Sequence, residues 1–294
     1  MTREFSGSCD LRQGLASLPD TAPAAVLTGG YGDPYTVTRT RISHPGPKEA
    51  LVQLAYTGVC HGDVYVRDGG GPAPKVPIRP LIGGHEGVGT IVAMGTVGMD
   101  GFTIGDVVGI ARRSHVCGAC DACMHGEENH CFNQQVTGSH RDGTFQRYVS
   151  FPTSQLIPIP AKIALPSVCP ILCAGVTVHT SLWLMKPQPS KWCIIVGAAG
   201  GLGHLGIKYA KAMDLKVLAI DGNGAEKETF CKKIGADAFV DFGREDLVET
   251  VVAQTDGGAD YILVLSPHQS SYDTAGQYAS FGAQIMAVGI GNAQ

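Results

Sequence analysis

Four cysteines packed into one short stretch constrain this chain more than any other feature. Cys117, Cys120, Cys123 and Cys131 form C-x2-C-x2-C-x7-C. Four thiolates at this spacing can close a tetrahedral Zn–S4 cage with no open position, which makes such a site structural. The surrounding loop, residues 115–132, reads HVCGACDACMHGEENHCF and has too few apolar residues to order itself by burial. Metal binding can contribute about 10–16 kcal/mol to ordering a loop of this kind. The competing readings are a disulfide cluster, an iron–sulfur site and a nucleic-acid-binding zinc ribbon. The ribbon lacks surrounding basic and aromatic residues. The disulfide cluster needs an oxidising compartment. The N-terminal MTREFSGSCDLRQ has no apolar core after Arg3 and does not read as a secretory signal. The ten cysteines are therefore expected in a reducing, cytoplasmic setting, where clusters favour metal or catalysis over disulfides.

The rest of the composition narrows the class. A length of 294 residues suffices for two domains, at roughly 100–200 residues each. With 44% hydrophobic and 16% charged residues, a packed globular protein is expected. A net charge of −4 and a pI near 6.2 argue against nucleic-acid partners, which want a basic surface. No stretch is expected to reach the ~20 apolar residues that span a membrane. Residues 1–22 read as an N-terminal extension, 23–172 as one domain and 173–294 as a second. In the first, short β-rich runs at Leu51–Tyr56, Gly87–Met94, Asp106–Ile110 and Phe145–Ser150 are broken by Gly and Pro, as in a β-barrel. In the second, strands at Trp192–Gly197, Lys216–Asp221, Ala238–Phe242, Ala259–Leu265 and Gln284–Gly289 alternate with helices, including Gly201–Met213 and Glu226–Gly235. That alternation predicts right-handed βαβ crossovers and a parallel sheet, an α/β fold.

The first βα turn of the second domain carries Gly197-Ala198-Ala199-Gly200-Gly201-Leu202-Gly203. Directly after a strand and opening a helix, Gly197, Gly200, Gly201, Leu202 and Gly203 let a pyrophosphate approach the backbone at a helix N-terminus. Asp221 ends the next strand, 18 residues after Gly203. A carboxylate there accepts from the adenine ribose hydroxyls and repels a 2′-phosphate, which predicts NAD over NADP. Lys227 can reach the same ribose or stand as a solvated helix-surface lysine.

Three further residues, Cys60, His85 and Cys173, are far apart in sequence. Singly, each reads as a buried thiol or a core histidine. Their contexts, GVCHGD, GGHEG and PILCAGVTV, instead suggest two thiolates and an imidazole around a zinc with a fourth position open, a catalytic arrangement. Taken together, GVCHGD, GGHEGVG, the cysteine ladder, PILCAGVTV and VGAAGGLG closely resemble the medium-chain zinc-dependent alcohol dehydrogenases, particularly the yeast-type fungal members. The resemblance runs from about Val26 to Val288. It implies a GroES-like β-barrel catalytic domain followed by a doubly wound Rossmann sheet. It implies two zinc ions per chain and NAD, with Cys60, His85 and Cys173 as catalytic-zinc ligands and Glu86 as an alternate, transient ligand. Asp63 is implied to orient the ligand histidine, His61 to lie near the cofactor pyrophosphate, and Thr177 beside the nicotinamide. The implied substrates are small alcohols or aldehydes, and homo-oligomers are typical.

The chain departs from that pattern in three places. Where the family carries Thr or Ser after the Cys-His pair, this chain has Gly62, and where a relay histidine follows it has Asp68. Loss of a positioned acid–base group costs roughly 10²–10⁴-fold in rate unless water fills the gap. Five residues before Cys117, Arg112 replaces an aromatic pocket wall. Arg112 or Arg113 can hold a substrate carboxylate or sit on a solvated rim, so ethanol does not follow as the substrate. The sequence also stops where the family continues through a last strand and a C-terminal return, which leaves a sheet edge and part of the barrel core uncovered and puts the homo-oligomer in question. The leading expectation is an NAD-dependent alcohol dehydrogenase. The alternative is a weakly active or non-catalytic zinc and NAD-binding relative.

Overall fold

The computed structural model describes residues 18–70, 79–96, 101–222 and 224–290. It divides into two compact units, with the break along the chain falling between Leu172 and Cys173.

The first unit runs β1 (Thr21–Leu27), β2 (Thr36–Arg41), β3 (Glu49–Thr57), α1 (His61–Asp68), β4 (Leu81–Ile82), β5 (Gly87–Met94), β6 (Val107–Ile110) and β7 (Arg113–His115). It continues through α2 (Asp121–Met124), β8 (Gln135–Val136), β9 (Tyr148–Pro152), β10 (Leu156–Pro158) and α3 (Leu165–Pro170). Its main sheet has the order β10-β6-β5-β3-β9 and is antiparallel throughout. Alternation along the strands decides what each face buries. Val52 and Leu54, Ile91, Val108 and Ile110, and Val149 and Phe151 converge on one core. Val88 on the other face packs with Val168, Cys169 and Leu172 of the following helix.

The second unit runs α4 (Val176–Met185), β11 (Trp192–Val196), α5 (Gly201–Ala212), β12 (Lys216–Asp221), α6 (Gly224–Lys233), β13 (Ala238–Asp241), α7 (Leu247–Gln254), β14 (Ala259–Val264), α8 (Gln269–Ala275) and β15 (Ala279–Ala287). Its sheet is fully parallel, with the order β13-β12-β11-β14-β15. The chain starts at the central β11, winds outward to β13, then returns to β14. This makes β11 and β14 the point where the strand order reverses. Both faces are buried, as a parallel sheet requires. Cys193 and Ile195 pack with Val217 and Ala219 on one side. Ile194 and Val196 pack with Leu218 and Ile220 on the other.

Several boundaries differ from the sequence reading. The strand β1 begins at Thr21, inside the expected extension; residues 1–17 of that extension lie outside the described residues. The last strand of the first sheet shifts to Tyr148–Pro152, where it pairs with Glu49–Gln53 of β3. The last strand of the second sheet starts at Ala279 instead of Gln284, extended by its ladder to β14, and leaves Phe281 fully exposed at the edge. The expectation that no apolar stretch is long enough for a membrane needs correction, because the helical run Leu165–Met185 passes by length and composition. Its apolar residues are spent on protein interior instead: Val168, Cys169 and Leu172 enter one core, Val178, Leu182 and Met185 another.

Gly89 marks the tightest packing of β5 on β3. A Cβ at Gly89 would lie 2.2 Å from the Gln53 carbonyl oxygen and 2.8 Å from Leu54 Cα, both backbone atoms that cannot rotate away. Gly89→Ala is therefore expected to cost about 1–3 kcal/mol through overpacking. A lowered urea midpoint for the first unit, with the second unit's transition unmoved, is the expected outcome; an unchanged midpoint refutes it.

Candidate functional site

Cys60 is the N-cap of α1, in extended conformation, and its sulfur accepts from the Gly62 N–H at 3.4 Å. A helix N-terminus with its free N–H groups stabilises negative charge, and hence a thiolate. Three residues on, Asp63 is almost fully buried. Its Oδ2 accepts from the Cys60 backbone N–H at 2.9 Å, and its Oδ1 pairs with His85 Nδ1 at 3.0 Å. One carboxylate thus fixes two residues 25 positions apart in sequence. With Nδ1–H donated to Asp63, Nε2 is the nitrogen left for a metal, which would replace any proton held there. That Nε2 is buried and finds no hydrogen-bond partner among the described residues.

Around Nε2 the set closes. One ligand atom each from Cys60, His85, Glu86 and Cys173 lies within 4.8 Å of the others. A tetrahedron with ~2.0–2.3 Å bonds has edges of roughly 3.3–3.8 Å, so a modest contraction would bring these four groups to zinc-binding distance. Cys173 sits on a π-helical turn, Ile171–Gly175, between α3 and α4. Such a turn inserts a residue into the helical ladder and is common at functional positions. The apolar run PILCAGVTV carries no local signal for this extra residue. Glu86 is as buried as His85, and its carboxylate fills the space a Cβ would take at Gly58, 2.0 Å away.

The four-cysteine ladder also converges. The sulfurs of Cys120 and Cys123 are 3.5 Å apart, those of Cys117 and Cys131 3.6 Å, and those of Cys117 and Cys123 4.0 Å. These match the edges of a Zn–S4 tetrahedron, just under 4 Å. Backbone N–H groups of Ala119 and Cys120 pull the Cys117 thiol down to about 6, readying it as a thiolate.

In the second unit, the turn after β11 is shaped by its glycines. Gly197 has φ 82°. A Cβ at Gly203 would lie 2.2 Å from the Gly197 carbonyl oxygen, so only glycine lets α5 start this close to β11. His204 is the first N–H here with a helical acceptor, Gly200 O at 3.0 Å. The N–H groups of Gly201, Leu202 and Gly203 precede that ladder and head the helix, as an anion site requires. Asp221 faces this turn: its Oδ2 accepts from Ala199 N at 2.8 Å and its Oδ1 from Gly222 N at 2.8 Å. Lys227 is not simply solvated; its Nζ meets Asp221 Oδ1 at 2.6 Å.

Other sequence-marked residues are less directly engaged. His61 is exposed and stacks edge-on against Tyr65. Thr177 donates to the Cys173 carbonyl at 2.8 Å. Asp68 is committed to Arg67 at 2.6 and 3.0 Å, which holds its carboxyl below the usual range. Gly62 lies directly beside the metal-ligand set, since a Cβ there would be 3.2 Å from His85 Cε1 and 3.6 Å from Cys60 Sγ.

Comparison with known proteins agrees with this geometry. Residues 46–161 match the model of the alcohol dehydrogenase GroES-like domain, and residues 201–294 that of the zinc-binding dehydrogenases. An alcohol dehydrogenase of Schizosaccharomyces pombe is 41% identical over 93% of this chain and 78% of its own length. Alcohol dehydrogenase 1 of Emericella nidulans is 39% identical over the same shares, 93% and 78%. The chain belongs to the zinc-binding alcohol dehydrogenase family. Solved structures fit that family too. An NAD-dependent alcohol dehydrogenase superposes with TM-score 0.81 at 29% identity, covering 90% of this chain and 76% of that one. An acetophenone reductase of Geotrichum candidum, in complex with NAD, superposes at 0.79 with 26% identity, covering 94% and 77%.

The Asp63–His85 pair gives this dehydrogenase a pH signature without metal. Burial opposes the imidazolium, but the Asp63 carboxylate and the neighbouring Cys60 sulfur outweigh it and raise His85 from 6.5 to about 9. A pKa raised on folding contributes stability that is complete below the unfolded value and lost as pH rises through the folded one. Chelator-treated protein should therefore lose stability between about pH 6.5 and 9. Asp63→Asn should flatten that slope. Denaturant midpoints across this range check it, and equal slopes in both proteins refute it.

Proposed function

We propose that this chain oxidises primary or secondary alcohols to aldehydes or ketones, reversibly, passing the hydride to NAD and releasing one proton to solvent. The observation that carries this is the convergence of Cys60, His85, Glu86 and Cys173 around an orphaned imidazole nitrogen. Two thiolates and one neutral imidazole suit zinc, and Glu86 serves as the exchangeable fourth donor. The Cys117, Cys120, Cys123 and Cys131 set holds the second, structural zinc. When bound, an open zinc supplies Lewis acidity that lowers the pKa of an alcohol, and NAD supplies the two-electron acceptor.

The protein's part is to position and to hold protons. Asp63 keeps the His85 proton on Nδ1, so that Nε2 stays available, and ties down the Cys60 backbone. Gly197, Gly200, Gly201, Leu202 and Gly203 form the pyrophosphate cradle, with the N–H groups of α5 directed at the anion. Asp221 receives the adenine ribose hydroxyls and disfavours a 2′-phosphate, while Lys227 holds that carboxylate in place. His61 and Thr177 complete the cofactor contacts. Gly62 offers no hydroxyl for proton transfer, so water takes that place. That gap also supports a second reading, in which zinc and NAD bind without turnover.

Purified protein should contain about two zinc ions per chain, each released by chelator, and form NADH with an alcohol panel. Zinc and NADH binding with no activity on any primary or secondary alcohol selects the second reading; absence of zinc overturns both. Asp63→Asn should weaken zinc at the Cys60 set roughly 10- to 100-fold, because partners of metal ligands typically carry that much. Chelator competition should show one zinc per chain weakened and the four-cysteine zinc unmoved. Equal loss from both sites refutes the assignment of Asp63.

A further inference from the structure

We propose that Arg112 is a specificity-determining residue that receives a carboxylate of the substrate, so that this chain acts on alcohols and aldehydes that are themselves anions. The inference rests on the dehydrogenase reading above and names its substrate class.

Position comes first. The carbonyl of Arg112 accepts from Thr137 N at 2.7 Å. The next residue, Gly138, packs so closely on Gly84 that a Cβ there would lie 2.6 Å from the Gly84 carbonyl oxygen. Gly84 directly precedes His85. The antiparallel pairing of β5 with β6 agrees, since it sets Gly87 opposite Ile110 and runs Arg112 toward His85. Adjacent chains in a sheet lie ~4.8 Å apart, so the Arg112 backbone comes within about two such spacings of the ligand histidine. An arginine stem is long enough to span such a gap.

Charge comes second. Other arginines of this unit are committed. Arg113 donates to Gln155 Oε1 at 3.0 Å and Asn129 Oδ1 at 3.2 Å, Arg141 to Glu49 at 3.0 Å, and Arg67 to Asp68. Arg112 is half-buried, and its guanidinium has no hydrogen-bond or ion-pair partner among the described residues. Its nitrogens are also not among the polar atoms sealed from solvent. A half-buried guanidinium that still reaches solvent and is tied to no protein group is free to receive an anion, exchanging water for a charged partner. Two thiolates cancel the charge of a divalent metal, so the Cys60 set offers an anionic substrate no net attraction. The cation has to come from elsewhere, and a planar guanidinium binds carboxylate through two parallel hydrogen bonds.

The test compares 4-hydroxybutyrate with 1-butanol as substrates of the zinc-loaded chain. The carboxylated alcohol should be favoured, and Arg112→Met should reduce the ratio of the two kcat/KM values roughly 10- to 100-fold, chiefly through KM. Arg112→Lys should retain part of the preference, and Arg113→Met should keep the ratio. Raising ionic strength should erode the preference. Calorimetric titration with glutarate, a dicarboxylate with no alcohol, should show binding that Arg112→Met abolishes. The proposal is overturned if 1-butanol is oxidised while Arg112→Met leaves both the ratio and glutarate binding unchanged. If neither alcohol is oxidised, the dehydrogenase reading fails instead, and the glutarate titration still decides whether Arg112 binds carboxylates.

Discussion

The buried carboxylate of Asp63 is the constraint on which the metal-ligand geometry depends. It bridges the N-cap of α1 and the imidazole of His85, and so joins two segments that share no strand. Its cost is real, because a nearly fully buried ion must be fully satisfied. Backbone N–H on one oxygen and imidazole N–H on the other meet that demand. The same two bonds tie the His85 ring and the first turn of α1 to one carboxylate. Removing the charge would therefore loosen the position of Cys60 as well as the basicity of His85.

The second unit applies an equivalent device at its own turn. Asp221 gathers Ala199 N, Gly222 N and Lys227, and so anchors the glycine turn to the end of β12. Because β11 is central and the strand order reverses between it and β14, the carboxyl end of β11 and its glycine turn border the crevice where ligands of such sheets bind. A parallel sheet buried on both faces gives that turn a rigid base. Residues Ile194–Val196 and Leu218–Ile220 are each wholly buried, so neither strand end can drift.

What could be read from the sequence was what local chemistry dictates. Strands β5, β11, β12 and β14 announce themselves by β-branched runs bounded by glycine. The cysteine ladder needs only its spacing, and the glycine turn only its strand-before, helix-after context. What could not be read was how polar side chains choose partners. Lys227 looked solvated and is paired. Arg112 and Arg113 looked equivalent, yet one is committed to Gln155 and Asn129 and the other is not. The π turn at Cys173 was equally hidden, because an extra residue in a helix leaves the apolar content unchanged. The strand boundary at Ala279 was missed for a related reason: cross-strand pairing with β14 extends it beyond its own β-rich core.

The two metal-ligand sets differ in what orders them, and this explains why one was plainer in the sequence than the other. The ladder lies on a loop with only a four-residue helix and short turns around it, and three of its four cysteines are incompletely buried. Its order has to come largely from the metal, so the ligands must be neighbours in sequence, where loop closure costs least. The Cys60 set is ordered by the fold before any metal arrives: a helix cap, a buried carboxylate, a strand end and a π turn each deliver one group. Preorganisation of that kind frees the ligands from sequence proximity. On the proposed reading it also leaves a coordination place for an exchangeable donor such as Glu86 instead of a fourth fixed thiolate. A closed cage serves structure and a preformed open one serves chemistry, and the chain separates the two by how far apart it places their ligands.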